Sequence, residues 1–143
     1  MPTFQTTRRV EFRDTDAAGI MHFSAFFTKF ESVEHEFLRS VGLSVVAHQP
    51  EGILTWPRVS ATCDYRGPAR FEDVLDISLR IARLGEKSVT WHFTATTNGQ
   101  PVADGRIVAV CVRLTAGGKM ESTPIPAEVS DKLRPIVKTT PAS

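Results

Sequence analysis

The sequence predicts an α+β fold in which one antiparallel sheet of about five strands wraps around one long central helix. One segment with helical periodicity carries four phenylalanines, an apolar load that needs to be enclosed on several sides. The second half of the chain contains successive segments in which apolar and polar residues alternate, as they do in half-buried strands. The order of one strand, one helix and then several strands therefore favours a sheet that encloses the helix.

The first strand and the helix are predicted from the first third of the chain. Residues 4–12 are rich in Thr, Val and Phe, which is typical of a strand. From Ser24 to Val41 the pattern is helical, with Ser24 as the expected N-cap and Gly42 where a helix ends. Apolar residues recur there at spacings of three and four: Phe26, Phe30, Val33 and Phe37.

The second half of the chain supplies the remaining strands. They are expected between Ile53 and Tyr65 and over residues 75–82, 89–96 and 102–114. Asn98-Gly99 is typical of a tight hairpin turn. The stretch 107–112 is apolar on both faces, which indicates a central strand that continues without a break. A short helix is expected from Pro126 to Leu133.

Composition limits the classes of partner. The 143 residues suit a single domain, expected over residues 1–143 with a polar tail from about residue 136. The formal net charge of +1 gives no electrostatic reason for a nucleic-acid or membrane partner.

Cys63 and Cys111 indicate no disulfide framework, and no signal peptide or membrane-spanning run is visible, so a cytoplasmic location is expected. His35, His48 and His92 lack metal-ligand spacing, so we expect no metal and no cofactor.

Residues 13–23, which precede the apolar helix, are the segment that points to chemistry. Helix N-termini present unpaired backbone N–H groups and a positive dipole end, which stabilise an oxyanion. A carboxylate beside them, such as Asp16, can attack a carbonyl or activate a water. Gly19 would let the backbone approach a ligand closely. Asp and Gly before a helix are also common as capping and turn residues without a catalytic role, and Asp14 in particular is open to that interpretation.

The stretch Phe12–Ile20 and the helix after it closely resemble the 4-hydroxybenzoyl-CoA thioesterase family of hot-dog-fold acyl-CoA thioesterases. The resemblance continues through residues 63–75 and 84–88 and covers roughly residues 5–130. It implies hydrolysis of an acyl-CoA to the free acid and coenzyme A.

The resemblance also implies roles for individual residues. Asp16 matches the catalytic Asp, acting as nucleophile or general base on the thioester carbonyl. The backbone N–H near Phe23 matches the group that polarises this carbonyl, and Gly19 matches the glycine at the pocket. Lys87 and Ser88 match a turn that contacts the nucleotide or phosphate part of coenzyme A. In such families the site forms between two subunits of a homodimer, and dimers often pair into homotetramers.

This chain departs from the family pattern beside the catalytic loop. Ala25 and Phe26 stand where many relatives carry Asn and Tyr, so we expect a more apolar substrate pocket walled by Phe26. His22 replaces the usual Tyr or Trp and is either structural or part of the catalytic group. Trp56 and Pro57 are either a wall of the substrate pocket or a strand entry with the Trp in the core.

Two other functions stay open at the level of the sequence. A hydratase or dehydratase on the same fold would use a His paired with an acidic residue, for which His22 and Asp16 are the candidates. A non-catalytic protein could bind acyl-CoA without cleaving it. Arg66, Arg70 and Lys87 either attract the phosphates of such a ligand or cover solvated surface.

Overall fold

The computed structural model describes residues 2–138, and within them the chain forms nine strands and two α-helices. The strands are β1 (Phe4–Arg9), β2 (Ala47–Gln49), β3 (Gly52–Thr55), β4 (Arg58–Tyr65), β5 (Val74–Leu84), β6 (Ser88–Thr97), β7 (Gln100–Val110), β8 (Val112–Leu114) and β9 (Met120–Ser122). The α-helices are α1 (Ala25–Ser40) and α2 (Ala127–Leu133), and single 3₁₀ turns occupy Phe12–Asp14 and Arg134–Ile136.

The main sheet has five antiparallel strands in the order β1-β5-β6-β7-β4, and α1 packs against it. The apolar stripe of α1 is buried, and the Phe30 ring stacks on Phe93 of β6 with 4.8 Å between centroids. Asn98 and Gly99 both have positive φ and join β6 to β7, as their sequence predicts. The predicted architecture, a five-stranded sheet around one long helix, is confirmed.

One glycine allows the helix to approach the sheet closely. A Cβ placed on Gly105 of β7 would lie 2.6 Å from Cε2 of Phe30, well inside contact distance. Glycine weakens a strand interior, so its presence in β7 is explained by the space that the phenyl ring occupies. Gly105 therefore sets the depth at which α1 sits on the sheet.

A second sheet, absent from the sequence-based prediction, contains four short strands in the order β2-β3-β8-β9. The strand expected between Ile53 and Tyr65 is divided into β3 and β4, which belong to different sheets. The apolar run 107–112 is likewise broken at Cys111, where the chain leaves β7 for β8. Cys111 N–H donates to the Lys87 carbonyl at 2.7 Å, so this residue bonds outside both ladders.

Both ends of the described chain differ from the prediction. Strand β1 ends at Arg9 instead of residue 12, because Asp14 accepts the Glu11 N–H at 2.8 Å and turns the chain into the 3₁₀ helix. Residues 136 and 137, where the polar tail was expected to begin, are still packed against the domain, since Ile136 is buried and Val137 bridges to Ile81. The rest of that tail, residues 139–143, lies outside the described residues.

Within residues 2–138, no helix is long and apolar enough to cross a bilayer. In the same range no group of three or more His, Cys, Asp or Glu side chains could hold a metal ion. Cys63 and Cys111 are both free thiols, and burial raises the pKa of the Cys111 thiol to about 11.

Candidate active site

Backbone hydrogen bonds within the loop before α1 hold residues 16–20 in a tight turn. The Asp16 N–H donates to the Ile20 carbonyl, and Gly19 N–H donates to the Asp16 carbonyl, each at 3.0 Å. Gly19 has φ of +79°, a conformation that other residues adopt at a cost. No atom lies within 4 Å of where a Cβ at Gly19 would be, so this backbone requirement explains the glycine, and close approach to a ligand stays a prediction.

One oxygen of the Asp16 carboxylate accepts a hydrogen bond that orients the side chain, and the other oxygen accepts none among the described residues. Its Oδ1 accepts the Ala18 N–H at 2.8 Å, which fixes the side chain in a local turn. The residue is exposed, and its Oδ2 has no hydrogen-bond partner among the described residues. One carboxylate oxygen is thus held by the backbone while the other is free to meet a substrate or a water.

Asp14, two residues earlier, has a structural role. Its buried carboxylate accepts the Glu11 N–H and forms an ion pair with Lys29 of α1, with 2.8 Å for each contact. Burial alone would raise the pKa of Asp14, but the hydrogen bonds from Lys29 and Glu11 outweigh it and lower that pKa. Asp14 therefore fastens the loop to the helix, which agrees with its interpretation as a turn residue.

Further bonds tie the end of the loop to its own start and to the segment after β4. Met21 N–H donates to the Ala69 carbonyl, and His22 N–H donates to the Asp14 carbonyl, each at 2.7 Å. Isolated bridges join Thr15 to Met21 and Ile20 to Arg70. The loop is therefore held on both sides before the chain reaches Phe23.

Phe23 presents a free backbone donor at the start of the helix. Its N–H donates to no acceptor within residues 2–138, and α1 begins two residues later at Ala25. Its carbonyl accepts the Tyr65 hydroxyl at 2.8 Å, which holds this part of the backbone against the end of β4. A fixed and unpaired N–H at a helix N-terminus can stabilise negative charge on a carbonyl oxygen.

Asp16 and Phe23 border the same cavity, which has a volume of about 490 Å³. Phe26 forms a buried apolar wall of this cavity, with its ring edge-on to Tyr65 at 5.3 Å. Arg66 also lines this cavity. The other lining residues come from the loop, from the end of β4 and from the segment after it: Ile20, Met21, Tyr65, Gly67, Pro68 and Ala69.

His22 stands beside this cavity without lining it. Its Nδ1 lies 2.7 Å from the Ser24 hydroxyl, and the Ser24 N–H donates to the same nitrogen at 3.3 Å. Ser24 thus occupies the predicted N-cap position, but its side chain bonds to His22 instead of capping the helix. No hydrogen bond or ion pair joins His22 to Asp16 within the described residues.

Four predicted substrate-binding residues are not brought to this cavity within one chain: Trp56, Pro57, Lys87 and Ser88. Trp56 is half-buried and lines a different cavity, together with Trp91. Pro57 separates β3 from β4, and Ser88 begins β6. Tyr65 was missing from the predicted site because its bond to Phe23 spans 42 residues, which local periodicity cannot show.

Comparisons with known proteins agree with this geometry. The chain is 31% identical to a hypothetical protein of Aquifex aeolicus of known structure, covering 91% of this chain and 98% of that one with a TM-score of 0.81. It is 25% identical to Slr0204, a 1,4-dihydroxy-2-naphthoyl-CoA thioesterase from Synechocystis, covering 93% and 96% of the chains with a TM-score of 0.79. A 1,4-dihydroxy-2-naphthoyl-CoA hydrolase of Synechococcus elongatus is 26% identical over 135 residues, or 94% of this chain and 97% of its own.

The fold and these relatives identify the chain as a thioester hydrolase of the hot-dog class. Residues 10–133 match the thioesterase-like superfamily, and the chain belongs to that superfamily. The resemblance inferred from its loop and strand motifs is thereby confirmed.

Proposed function

We propose that this protein hydrolyses acyl-CoA thioesters, with Asp16 as nucleophile or general base and the Phe23 N–H polarising the thioester carbonyl. The observation that carries the proposal is the cavity that both residues border, in which one carboxylate oxygen and one backbone donor are unpaired within the described residues. Relatives with a coenzyme A thioester hydrolase activity in their names support the substrate class.

The chemistry follows from these two groups. The thioester oxygen accepts the Phe23 N–H, and negative charge develops on it during attack at the carbonyl carbon. Asp16 either attacks this carbon, forming an anhydride that water cleaves, or takes a proton from the attacking water. In both cases the carbon–sulfur bond breaks, the acyl group gains the water oxygen, and the coenzyme A sulfur leaves with a proton.

The decisive experiment compares Asp16→Asn with Asp131→Asn in a thiol-release assay. Asparagine keeps the Oδ1 contact to Ala18 but cannot act as nucleophile or base, so turnover should fall by about 10²–10⁴-fold. Asp131 is an exposed carboxylate on α2, and its variant should retain full turnover. Retained activity in Asp16→Asn, with unchanged far-UV circular dichroism, would assign the chemistry to another group.

The acyl group is expected to be apolar where it meets Phe26. A phenyl wall offers no partner to a hydroxyl group, and burying a hydroxyl without one is unfavourable. Benzoyl-CoA and 4-hydroxybenzoyl-CoA form a matched pair that tests this point, with hexanoyl-CoA representing aliphatic chains. A higher kcat/KM for the hydroxylated member would contradict an apolar pocket.

We further propose that the site is completed by a second copy of the chain. Strand β4 is an edge of the main sheet, and most of its residues are exposed on both faces, which leaves a strand ready to pair. Pairing of two β4 strands would make a dimer, and dimers could pair into a tetramer. Lys87 and Ser88 lie outside the Asp16 cavity in one chain, so the coenzyme A contact that the resemblance implies would come from the partner.

Mixing two weakened variants tests whether a site is shared. Asp16→Asn and Lys87→Ala are each expected to be weak enzymes, the second through a higher KM for acyl-CoA. When equal amounts of the two variants are refolded together, about half of the dimers contain one subunit of each variant. Each of these mixed dimers carries one intact site, so about a quarter of the wild-type number of sites is restored. Activity equal to the sum of the two variants would show that each chain holds its own site.

No observation favours the hydratase interpretation, because His22 bonds to Ser24 and not to Asp16. A protein that binds acyl-CoA without cleaving it would leave the thioester intact in the thiol-release assay. A cytoplasmic location remains part of the proposal and is tested by cell fractionation.

A further inference from the structure

The imidazole of His22 bonds to both the N–H and the hydroxyl of Ser24 through one ring nitrogen. Its Nδ1 lies 2.7 Å from the Ser24 hydroxyl oxygen and accepts the Ser24 N–H at 3.3 Å. A ring nitrogen that accepts an N–H carries no hydrogen of its own, so the Ser24 hydroxyl also donates to Nδ1. The side chain of His22 thus fixes the residue two positions later, as the side chains of Asn and Asp do in local turns.

The residue enclosed by this contact is Phe23, whose N–H we assign to polarisation of the thioester carbonyl. The imidazole also packs on the Phe23 ring, with 4.5 Å between the two centroids. The neighbouring backbone donors are bonded, that of His22 to the Asp14 carbonyl at 2.7 Å and that of Ala25 to the His22 carbonyl at 3.0 Å. Since the imidazole accepts the Ser24 N–H, the Phe23 N–H is the one donor of residues 22–25 that has no acceptor within the described part of the chain.

His22 is not placed to act on the thioester directly. It does not line the cavity that Asp16 and Phe23 border, and no bond joins it to Asp16 within residues 2–138. The Tyr or Trp that is usual at this position in the family has a ring carbon where the imidazole carries Nδ1. Neither of them could accept the N–H of residue 24, so the contact depends on the histidine of this chain.

We propose that His22 is a positioning residue, which holds the Phe23 N–H in place through the acceptor at Nδ1 and neither gives nor takes a proton during hydrolysis. This inference rests on the thioesterase function proposed above. A contact that orders the donor acts on the charge that develops in the transition state, and the donor binds the ground-state carbonyl only weakly. Its loss should therefore lower kcat and leave KM nearly unchanged.

Two amide substitutions separate positioning from proton transfer, because they put a polar group at different points of the former ring. His22→Asn places its side-chain oxygen near the position of Nδ1, where it can accept the Ser24 N–H. His22→Gln reaches the position of Nε2 instead and leaves the Ser24 N–H without this acceptor. We expect kcat to fall about three- to tenfold in His22→Gln, whereas His22→Asn should retain most of the wild-type value.

His48→Gln makes the same change at an exposed position and is the matched control, with kcat equal to that of the wild type. Equal losses of kcat in His22→Asn and His22→Gln would overturn the proposal, because neither amide can replace an imidazole that transfers a proton. A wild-type kcat in His22→Gln would also overturn it, since the contact to Ser24 would then have no effect on the reaction.

The contact itself can be measured without any turnover. Amide hydrogen exchange followed by NMR should show the Ser24 N–H exchanging faster in His22→Gln than in the wild type and in His22→Asn. Unchanged exchange in His22→Gln would contradict the role of Nδ1 as acceptor. A wild-type protein that releases no thiol from any acyl-CoA would instead contradict the proposed function, and the exchange rates would still test the contact.

Discussion

The hydroxyl of Tyr65 donates to the carbonyl of Phe23 at 2.8 Å, joining the end of β4 to the start of α1. Phe23 is the residue whose N–H we assign to polarisation of the thioester carbonyl. A side chain 42 positions away in sequence therefore holds the backbone of the proposed donor. In that proposal Tyr65 acts through Phe23, as a positioning residue.

Removing this hydroxyl should slow the reaction without removing the pocket. Tyr65→Phe keeps the ring that packs against Phe26 but loses the bond to Phe23, so the donor becomes less well ordered. Losing one neutral hydrogen bond of this kind should lower kcat by about three- to tenfold and leave KM nearly unchanged. Val46→Thr, at an exposed position outside β4, is the control and should match the wild type. Equal kcat values for Tyr65→Phe and the wild type would show that Phe23 needs no such support.

The Asp14–Lys29 pair should contribute strongly to stability. Asp14→Asn leaves the Lys29 ammonium without its carboxylate at a contact where both side chains are largely buried. The free energy of unfolding should fall by about 3 kcal/mol, as for other partly desolvated pairs that lose one member. Urea unfolding gives this value. Glu121→Gln, which breaks an exposed pair with Lys119, should change it by less than about 1 kcal/mol.

Gly105→Ala should destabilise the contact between α1 and the sheet. The added Cβ would lie 2.6 Å from Phe30, whose buried ring is stacked on Phe93 and has little room to move. Overpacking of this kind costs about 1–3 kcal/mol, which lowers the melting temperature. Gly117→Ala meets no atom within 4 Å and serves as the matched control. A crystal structure of Gly105→Ala with Phe30 unmoved would contradict the proposed clash.

Stability should fall in mild acid because of His92. Burial lowers the pKa of His92 more than the nearby Asp104 carboxylate raises it, and its Nδ1 already accepts a hydrogen bond from Arg80. The unfolded chain, with a His pKa near ~6.5, then binds more protons than the folded chain as pH falls below that value. The free energy of unfolding should decline below about pH 6.5 until the lower folded pKa is passed.

Urea unfolding between about pH 5 and 7.5 measures this slope. His92→Gln should flatten it, whereas His48→Gln, at an exposed position, should leave it unchanged. A residual slope in His92→Gln is expected from His35, whose pKa burial also lowers. An unaltered slope in His92→Gln would assign the pH dependence to other groups.

The sequence predicted those features that depend on local periodicity and turn chemistry. The phenylalanine spacing in α1 and the Asn98-Gly99 turn both led to elements at the right positions. The break at Cys111 was missed because a run that is apolar on both faces gives no sign of where a chain changes sheets. The role of Gly105 was missed because it depends on Phe30, a contact between residues 75 positions apart.

The candidate site also contains some features that local sequence patterns predicted and others that depend on tertiary contacts. Asp16 and the helix start could be recognised because they are close in the chain, and they border one cavity. Trp56 was left open between a wall of the substrate pocket and a strand entry in the core, and it lines the cavity that Trp91 also lines. Lys87 lies outside that cavity within one chain, and the mixing experiment tests whether a second copy brings it there.

The pairing of β1 with β5 has a consequence for the order of events during synthesis. Phe4 lies opposite Leu79, and the Met21 N–H donates to the Ala69 carbonyl. The N-terminal strand and the Asp16 loop therefore cannot form these bonds until residues much later in the chain have been made. Local hairpins close faster than such distant contacts, so β5, β6 and β7 are expected to associate first. Until β5, β6 and β7 have been made, the phenylalanines of α1 have no sheet to cover them. Exposed apolar surface of this kind makes a nascent chain prone to aggregation.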